Sequence, residues 1–457
     1  MRIAKPIQHT GEFWNASSPE DRHFGTLTVS EGGSIELEIT SLDQAFVPFD
    51  ESNVDRIYGQ VTRLGHVILE DCIFTHRALP FGIPANSRLH IHRAYIKCLP
   101  NDDAAKLFRS VVFELEGIDE WIGITGINVD FDRSLRTASI SYKPIKKITE
   151  SLSDNDTLSF RFGYSLPGSP HITEAKITQT VSIEICSKTE QKIEHFISIA
   201  HKLANLVCFA TGQTTTIKNF RAEDSFGQPD DGDSPLLIDV YFQSLPFADS
   251  PIKVTRQDSV FIYPELEDRW GLILRNWYQA YEDLSPALGL YFSTQNGTHR
   301  YLESKFLSLA QCLETFSRRT DFDTQMESQE FSSLVDALMS ACEEDHKEWL
   351  AGKLKYANEM NLRKRLIKLI QPFASKFGSG ADRKTLINNI VSTRNYLTHY
   401  DESNKSAAIT GRTLWITSMK MEALFEVCML KLLGFSDSEI ERKCETYTPI
   451  GRKLKAH

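Results

Sequence analysis

Ser34-Ile35-Glu36-Leu37-Glu38-Ile39-Thr40 alternates strictly, with three aliphatic side chains on one face and charged or hydroxyl groups on the other. A repeat of two is the signature of a half-buried antiparallel strand. Outward from it, similar short runs recur at 56–61, 67–69, 89–96, 111–115, 138–142, 158–164 and 181–185. Turn signals such as Glu31-Gly32-Gly33 and Leu166-Pro167-Gly168 separate them. So many short strands predict a sandwich or a curled barrel. One helix interrupts the pattern over roughly 192–210, with Ile193, Phe196, Ile197, Ala200, Leu203, Ala204 and Val207 on one stripe, and 237–242 reads as a returning strand.

From about residue 260 the repeat becomes helical. Trp270, Ile273, Trp277, Ala280 and Leu284 recur at steps of three and four, as do Leu302, Phe306, Leu309, Leu313 and Phe316. Phe331, Leu334, Leu338, Cys342 and Trp349 mark a further helix, followed by 354–373, 383–400 and a long apolar segment over 413–433 that Gly434 stops. Aromatic and Met stripes at this spacing read as the core of a bundle. The chain is thus expected to be an α+β multidomain protein, with a β-rich domain over 1–250 and an all-α bundle over 251–457.

At 457 residues, two or three domains are the length-based expectation. The opening Met1-Arg2-Ile3-Ala4-Lys5-Pro6 is unlike a secretory leader, and no apolar run is long enough to span a bilayer. Eight cysteines without Cys-x-x-Cys spacing fit free thiols in a reducing cytoplasm. The net charge of −10 is unevenly placed: residues 251–457 hold 28 basic against 27 acidic side chains, which leaves −11 for residues 1–250. Within 351–400 there are 10 basic and 2 acidic residues, the footprint of a phosphate-binding band. Arg363, Lys364, Arg365 and Lys368 are its candidate RNA contacts.

Three other clusters invite chemistry and carry less. Asp230-Asp231-Gly232-Asp233 lacks the ligand spacing and closing Glu of a calcium loop, and reads as surface. His90 and His92 share a strand face without a third metal ligand at suggestive spacing. Asp130 and Asp132 are the nearest approach to a glycosidase acid–base pair, and a surface loop explains them equally well.

The stronger cluster is Arg394-Asn395-Tyr396-Leu397-Thr398-His399, late on a helix for which Asp382 is the expected N-cap after the break at Ser375–Ala381. Arg offers phosphate a permanently charged fork, and His is suited to proton transfer near neutrality. Arg394 and His399 lie about 140° apart around the axis, whereas Asn395 and His399 share a face. Arg394 sits on the side of Ile390 and Leu397, so its head needs a partner: a bound phosphate or a second subunit. The chemistry such a set supports is attack of an RNA 2′-OH on the adjacent phosphate. His399 would transfer the proton, Arg394 would hold the phosphoryl charge, and Asn395 would orient either; no metal is called for.

With bundle and motif in place, the C-terminal part resembles a HEPN domain, matched by Arg394-Asn395-Tyr396-Leu397-Thr398-His399 with a polar residue directly after the Arg. The whole chain is similar to ApeA-type anti-phage proteins, which join a β-rich N-terminal domain to such a domain. The carriers are Gly11-Glu12-Phe13-Trp14, Gly25-Thr26-Leu27 with the strand at Ile35-Glu36-Leu37, Trp121, and Glu303-Ser304-Lys305-Phe306-Leu307-Ser308-Leu309-Ala310-Gln311-Cys312-Leu313-Glu314. The resemblance implies a homodimeric, cofactor-free and metal-independent endoribonuclease that arrests infected cells. Structured loops or tRNA would be its substrates, and its β domain would sense a phage-derived trigger or restrain the nuclease. It also implies a supporting place for Glu314 at the site, although an ordinary bond from Glu314 to a neighbouring helix accounts for it equally. Ser317 stands where members often carry a further His. A competing reading is a non-catalytic bundle that dimerises and binds RNA or protein, with the β domain as recognition unit.

Overall fold

The computed structural model describes the chain apart from residues 4, 16, 42–45, 47–52, 79–84, 99–106, 169–172, 225–236, 296–300, 322, 323, 401, 446 and 457, and the side chains of 403 and 404. The acidic stretch at 230–233 lies outside the described residues. Two compact units emerge, Met1–Arg275 and Asn276–His457. The division falls at 275/276 rather than 250/251, because Val254, Val260, Phe261, Tyr263 and Trp270 are buried in the first unit. There Trp121, Trp270 and Tyr263 stack edge to face, and the Trp121 indole donates to the Phe261 carbonyl at 3.1 Å.

The first unit opens with β1 (Ile7–Asn15), β2 (His23–Val29), β3 (Ile35–Ser41), β4 (Asn53–Val61), β5 (Gly65–His76) and β6 (Ala85–Ile96). These six close on themselves in the order β6-β3-β2-β1-β4-β5, with β5 pairing back to β6 from Val67↔Ile96 to His76↔Arg88. The structure thus resolves the sandwich-or-barrel alternative as a closed barrel, which leaves these strands no free edge to cap. Ile35, Leu37 and Ile39 fill its interior as their alternation requires, each contributing about 1.5–3 kcal/mol of burial before ordering costs. Room for Phe13 comes from Gly59 directly opposite: a Cβ there would lie 2.6 Å from the Phe13 ring.

Beyond the barrel come β7 (Leu107–Leu115), α1 (Ile118–Ile122), β8 (Ile127–Asp132), β9 (Thr137–Tyr142), β10 (Ile148–Ser151), β11 (Asp156–Ser165), β12 (Thr178–Lys192), α2 (Ile193–Thr211), β13 (Ile217–Asp224) and β14 (Leu237–Phe242). All but the β8–β9 hairpin extend the sheet in the order β10-β11-β12-β7-β13-β14, joined to the barrel where β14 pairs with the C-terminal part of β6. Phe196, Ala200, Leu203, Ala204 and Val207 of α2 are buried, and Gly212, in the left-handed region at φ 66°, stops the helix. Asp130 and Asp132 sit on exposed β8. Asp130 accepts from Asn128, whereas Asp132 caps the turn at Ser134 and Leu135, and those bonds lower its pKa. They organise a hairpin rather than face each other across a cleft.

Helices α3 (Trp270–Gln295), α4 (Leu302–Thr320), α5 (Ser328–Ala341), α6 (Glu344–Leu354), α7 (Leu362–Ile370), α8 (Gly380–His399), α9 (Gly411–Leu433), α10 (Asp437–Lys443) and α11 (Pro449–Leu454) follow. The α4 stripe Phe306, Leu309, Leu313 and Phe316 is buried against α9, where Phe316 meets Phe425 edge to face. The α9 helix ends on Gly434 at φ 97°. Two helical expectations need correction. The stripe from Phe331 to Trp349 is two helices broken at Cys342, neither with a buried residue, and Trp349 is exposed: they pack on each other instead of forming core. The 354–373 segment is the shorter α7, which passes into a 3-10 turn at Gln371–Phe377 because Pro372 has no N–H to continue the ladder.

Within the bundle lies a buried ionic cluster. Lys453 pairs with Glu422 at 3.1 Å and with Glu426, Lys305 pairs with Glu422 at 2.5 Å, and the Tyr291 hydroxyl donates to Glu426 at 2.8 Å. Burial pushes the Glu422 carboxyl upward, but Lys453 and Lys305 outweigh it and leave its pKa below the ordinary value.

Candidate functional site

α8 is set by its two ends. Ser379 is the N-cap: its Oγ accepts from the Asp382 N–H at 3.2 Å, while the Asp382 carboxylate accepts from the Ser379 N–H at 2.8 Å. Asp382 is therefore the third helical residue of a capping box and not the cap itself, and the Ser379 hydroxyl, then the Ser379 N–H, by hydrogen-bonding its carboxylate lower its pKa. Leu386, Ile387, Ile390 and Thr393 anchor the inner face, with the Thr393 hydroxyl accepting from the Ile409 N–H at 3.0 Å. The helix ends as Tyr400 turns left-handed at φ 50°, which leaves His399 exposed on its last turn.

Arg394 does have a partner, and it comes from the same chain. Its Nη2 donates to Glu314 Oε2 on α4 at 3.3 Å, and its Nη1 donates to Asn395 Oδ1 at 3.3 Å. The Arg394 side chain remains 34% exposed and that of Glu314 17%. The other Glu314 oxygen takes Arg318 at 3.3 Å, and Arg318 reaches Glu359 at 3.0 Å. A chain Arg394–Glu314–Arg318–Glu359 thus runs behind the site, held by alternating charge. Asn395 lies on the His399 face and is tied to Arg394, so it links two groups that the helix itself turns apart. Tyr396 and Tyr400, one turn apart at the end of the helix, meet edge to face with ring centroids 5.6 Å apart.

The basic band divides. Arg363 donates to Asn388 at 2.5 Å, Lys364 to Gln325 at 2.8 Å and Lys368 to Asp321 at 3.0 Å, all from exposed positions on α7. Arg365 does not belong with them. It is 4% exposed, its Nε donates to the Met360 carbonyl at 2.9 Å, and its Nη1 is buried without a partner among the described residues. Burial, followed by the nearby Arg318 charge, lowers its pKa. Its role is internal, and a direct RNA contact is not open to it. Arg318 was absent from the sequence-derived site, although its position four residues after Glu314 is the ordinary spacing of a helical ion pair. Ser317, at the place of the missing His, is fully buried.

His90 and His92 both lie off the barrel interior, and among the described residues no group of three or more His, Cys, Asp or Glu side chains is arranged to hold a metal. Among the same residues no helix is long and apolar enough to cross a membrane.

The closed barrel with its sheet extension, followed by a bundle bearing an Arg–His helix, defines a two-part chain whose class the comparisons identify. The family model described as ApeA N-terminal domain 1 matches residues 8–277, and that described as Apea-like HEPN matches residues 307–439. This chain belongs to the ApeA family, with a HEPN domain at its C-terminal end, and so stands with HEPN-type anti-phage defence proteins. No curated protein and no solved structure matches it.

Proposed function

We propose that the chain is a metal-independent endoribonuclease of anti-phage defence, acting by abortive infection through Arg394, Asn395 and His399. The observation that carries this reading is the junction at the end of α8: a one-third-exposed Arg394 side chain joined through Asn395 to the helical face that presents His399. RNA supplies its own nucleophile. His399 takes the 2′-OH proton as the 2′-oxygen bonds to phosphorus, and the P–O5′ bond breaks with protonation of the departing 5′-oxygen. Arg394 stabilises the charge on the non-bridging oxygens. The products are a 2′,3′-cyclic phosphate and a 5′-hydroxyl. One imidazole performs one of the two proton transfers; a homodimer that places two α8 ends in one cleft supplies the other. Exposed Arg363, Lys364 and Lys368 hold flanking phosphates. Unpaired RNA such as tRNA loops is the substrate, cut in the cytoplasm, and the β domain restrains the nuclease until a phage-derived trigger acts.

The test is cleavage of total cellular RNA by purified wild type, Arg394→Ala and His399→Ala in EDTA. Cyclic-phosphate ends from the wild type alone, together with host toxicity lost in both variants, are expected. Full cleavage by His399→Ala refutes the mechanism, and RNA bound but never cut points to the non-catalytic binding module.

A further inference from the structure

A cavity of about 580 Å³ opens beside the first half of α8, within the second unit. Thr385 and Asn389 line it from α8, some 15–20 Å along the axis from His399 by helical rise. At 100° per residue, these two side chains and His399 fall within about 80° of one another around that axis. The cavity and the imidazole thus share one face of one helix.

Its lining has two characters. Three lysines line it, Lys376, Lys420 and Lys455. Lys376 is paired with Glu441 at 3.1 Å, whereas Lys420 acts on Asp382 through space without forming an ion pair among the described residues. Thr385, Asn389 and Thr417 make no side-chain hydrogen bond among the described residues. Of these, Thr417 is the most buried, only 3% exposed. Phe377, Leu386, Ile416 and Leu454 supply an apolar wall, and Ser375, Gly378, Thr413 and the Asp382 carboxylate complete the lining. Lysines and neutral hydrogen-bonding side chains beside an apolar wall suit a ligand with an anionic end and a flat ring, and the volume falls in the usual range for ligand sites of roughly 300–1,000 Å³.

We propose that this cavity binds one nucleotide unit, its phosphate at Lys420 and its ring against the apolar wall, with Thr385, Asn389 and Thr417 bonding sugar and base. Such a unit has two sources. It belongs to an RNA strand lying along α8 from His399, in which case the cavity is a substrate subsite and rests on the nuclease reading, or it is a free mononucleotide that occupies the bundle independently.

The experiment uses the full chain carrying His399→Ala, so that bound RNA is not cut, with and without Lys420→Gln or Thr417→Val, each checked for folding by its melting curve. Two probes are titrated: AMP, and an unstructured RNA of about 12 nucleotides, a length within single-strand site sizes. Removal of one phosphate contact is expected to weaken the bound probe about tenfold for Lys420→Gln and to flatten its salt dependence. A Lys420-dependent loss of RNA affinity, with AMP bound by neither protein, assigns the strand. A loss of AMP affinity with RNA unchanged assigns the free nucleotide. Equal affinities in folded variants, or no binding of either probe by the parent, overturns the site. The nuclease reading fails separately, if the chain with His399 intact leaves RNA uncut while Lys420-dependent binding persists.

Discussion

Glu314→Gln should tighten RNA binding. The carboxylate lies 3.3 Å from the Arg394 guanidinium, so a phosphate on the open side of that guanidinium would come within about 6 Å of it. Repulsion between two unit charges at that distance is about 0.7 kcal/mol in bulk water and about 2.8 at an effective dielectric of 20. With Arg394 one-third exposed, an intermediate value of about 1.4 kcal/mol applies, a tenfold gain in affinity once glutamine removes the charge and keeps the shape. The lost ion pair should cost little stability, about 0–1 kcal/mol, because the pair is partly solvated. The assay is fluorescence anisotropy of a labelled RNA with His399→Ala protein, with and without Glu314→Gln, at fixed salt. Unchanged or weaker binding by the folded variant would refute the argument, because Glu314 would then be orienting Arg394 toward the phosphate rather than competing with it.

Two further perturbations test the scaffold. Lys453→Met leaves Glu426 without a cation among its described partners and Glu422 with Lys305 alone; breaking such a buried pair costs about 3–5 kcal/mol, a fall in Tm of about 6–20 °C by calorimetry. A shift under 2 °C, well below that estimate, would show the cluster is not load-sharing. The same cluster sets an acid limit. Since the Glu422 pKa is held below its ordinary value, its contribution is complete at neutral pH and is lost as pH falls through about 4.3 and below, which Tm against pH should show in wild type and not in Glu422→Gln. Gly59→Ala should destabilise the first unit by about 1–3 kcal/mol, since the added methyl meets the Phe13 ring; denaturant unfolding identical to wild type would mean the barrel wall yields there.

Period was what made much of the fold legible. The alternation at Ile35–Ile39 and the three-four spacing at Phe306–Phe316 each state which side faces inward, and both sets are buried. Closure of the barrel was not legible, because it depends on β5 returning to β6, a register that no local pattern encodes. β1 and β2 also escape the alternation reading, interrupted by Gly11 and Gly25 where neighbouring strands approach closely. The same periodicity misleads at α5 and α6, where an amphipathic stripe exists without a core beneath it. At the candidate site the Arg394–His399 pattern reads directly from sequence, while the partner of Arg394 required a residue 80 positions away. Arg365 reads as surface beside Arg363 and Lys364, yet it falls on the stripe of Leu362, Leu366 and Ile370; that spacing was the sign that it turns inward.

β6 bonds to β5 along one edge, and along the other to β3 over its first half and β14 over its last residues. It is a splice, a single strand that belongs at once to a closed ring and to an open sheet. Neither part can come apart at that strand without unzipping the other, so the two should melt as one cooperative block, with the β6 amides exchanging only through global opening. A disturbance received anywhere on this block is therefore borne by the whole of it.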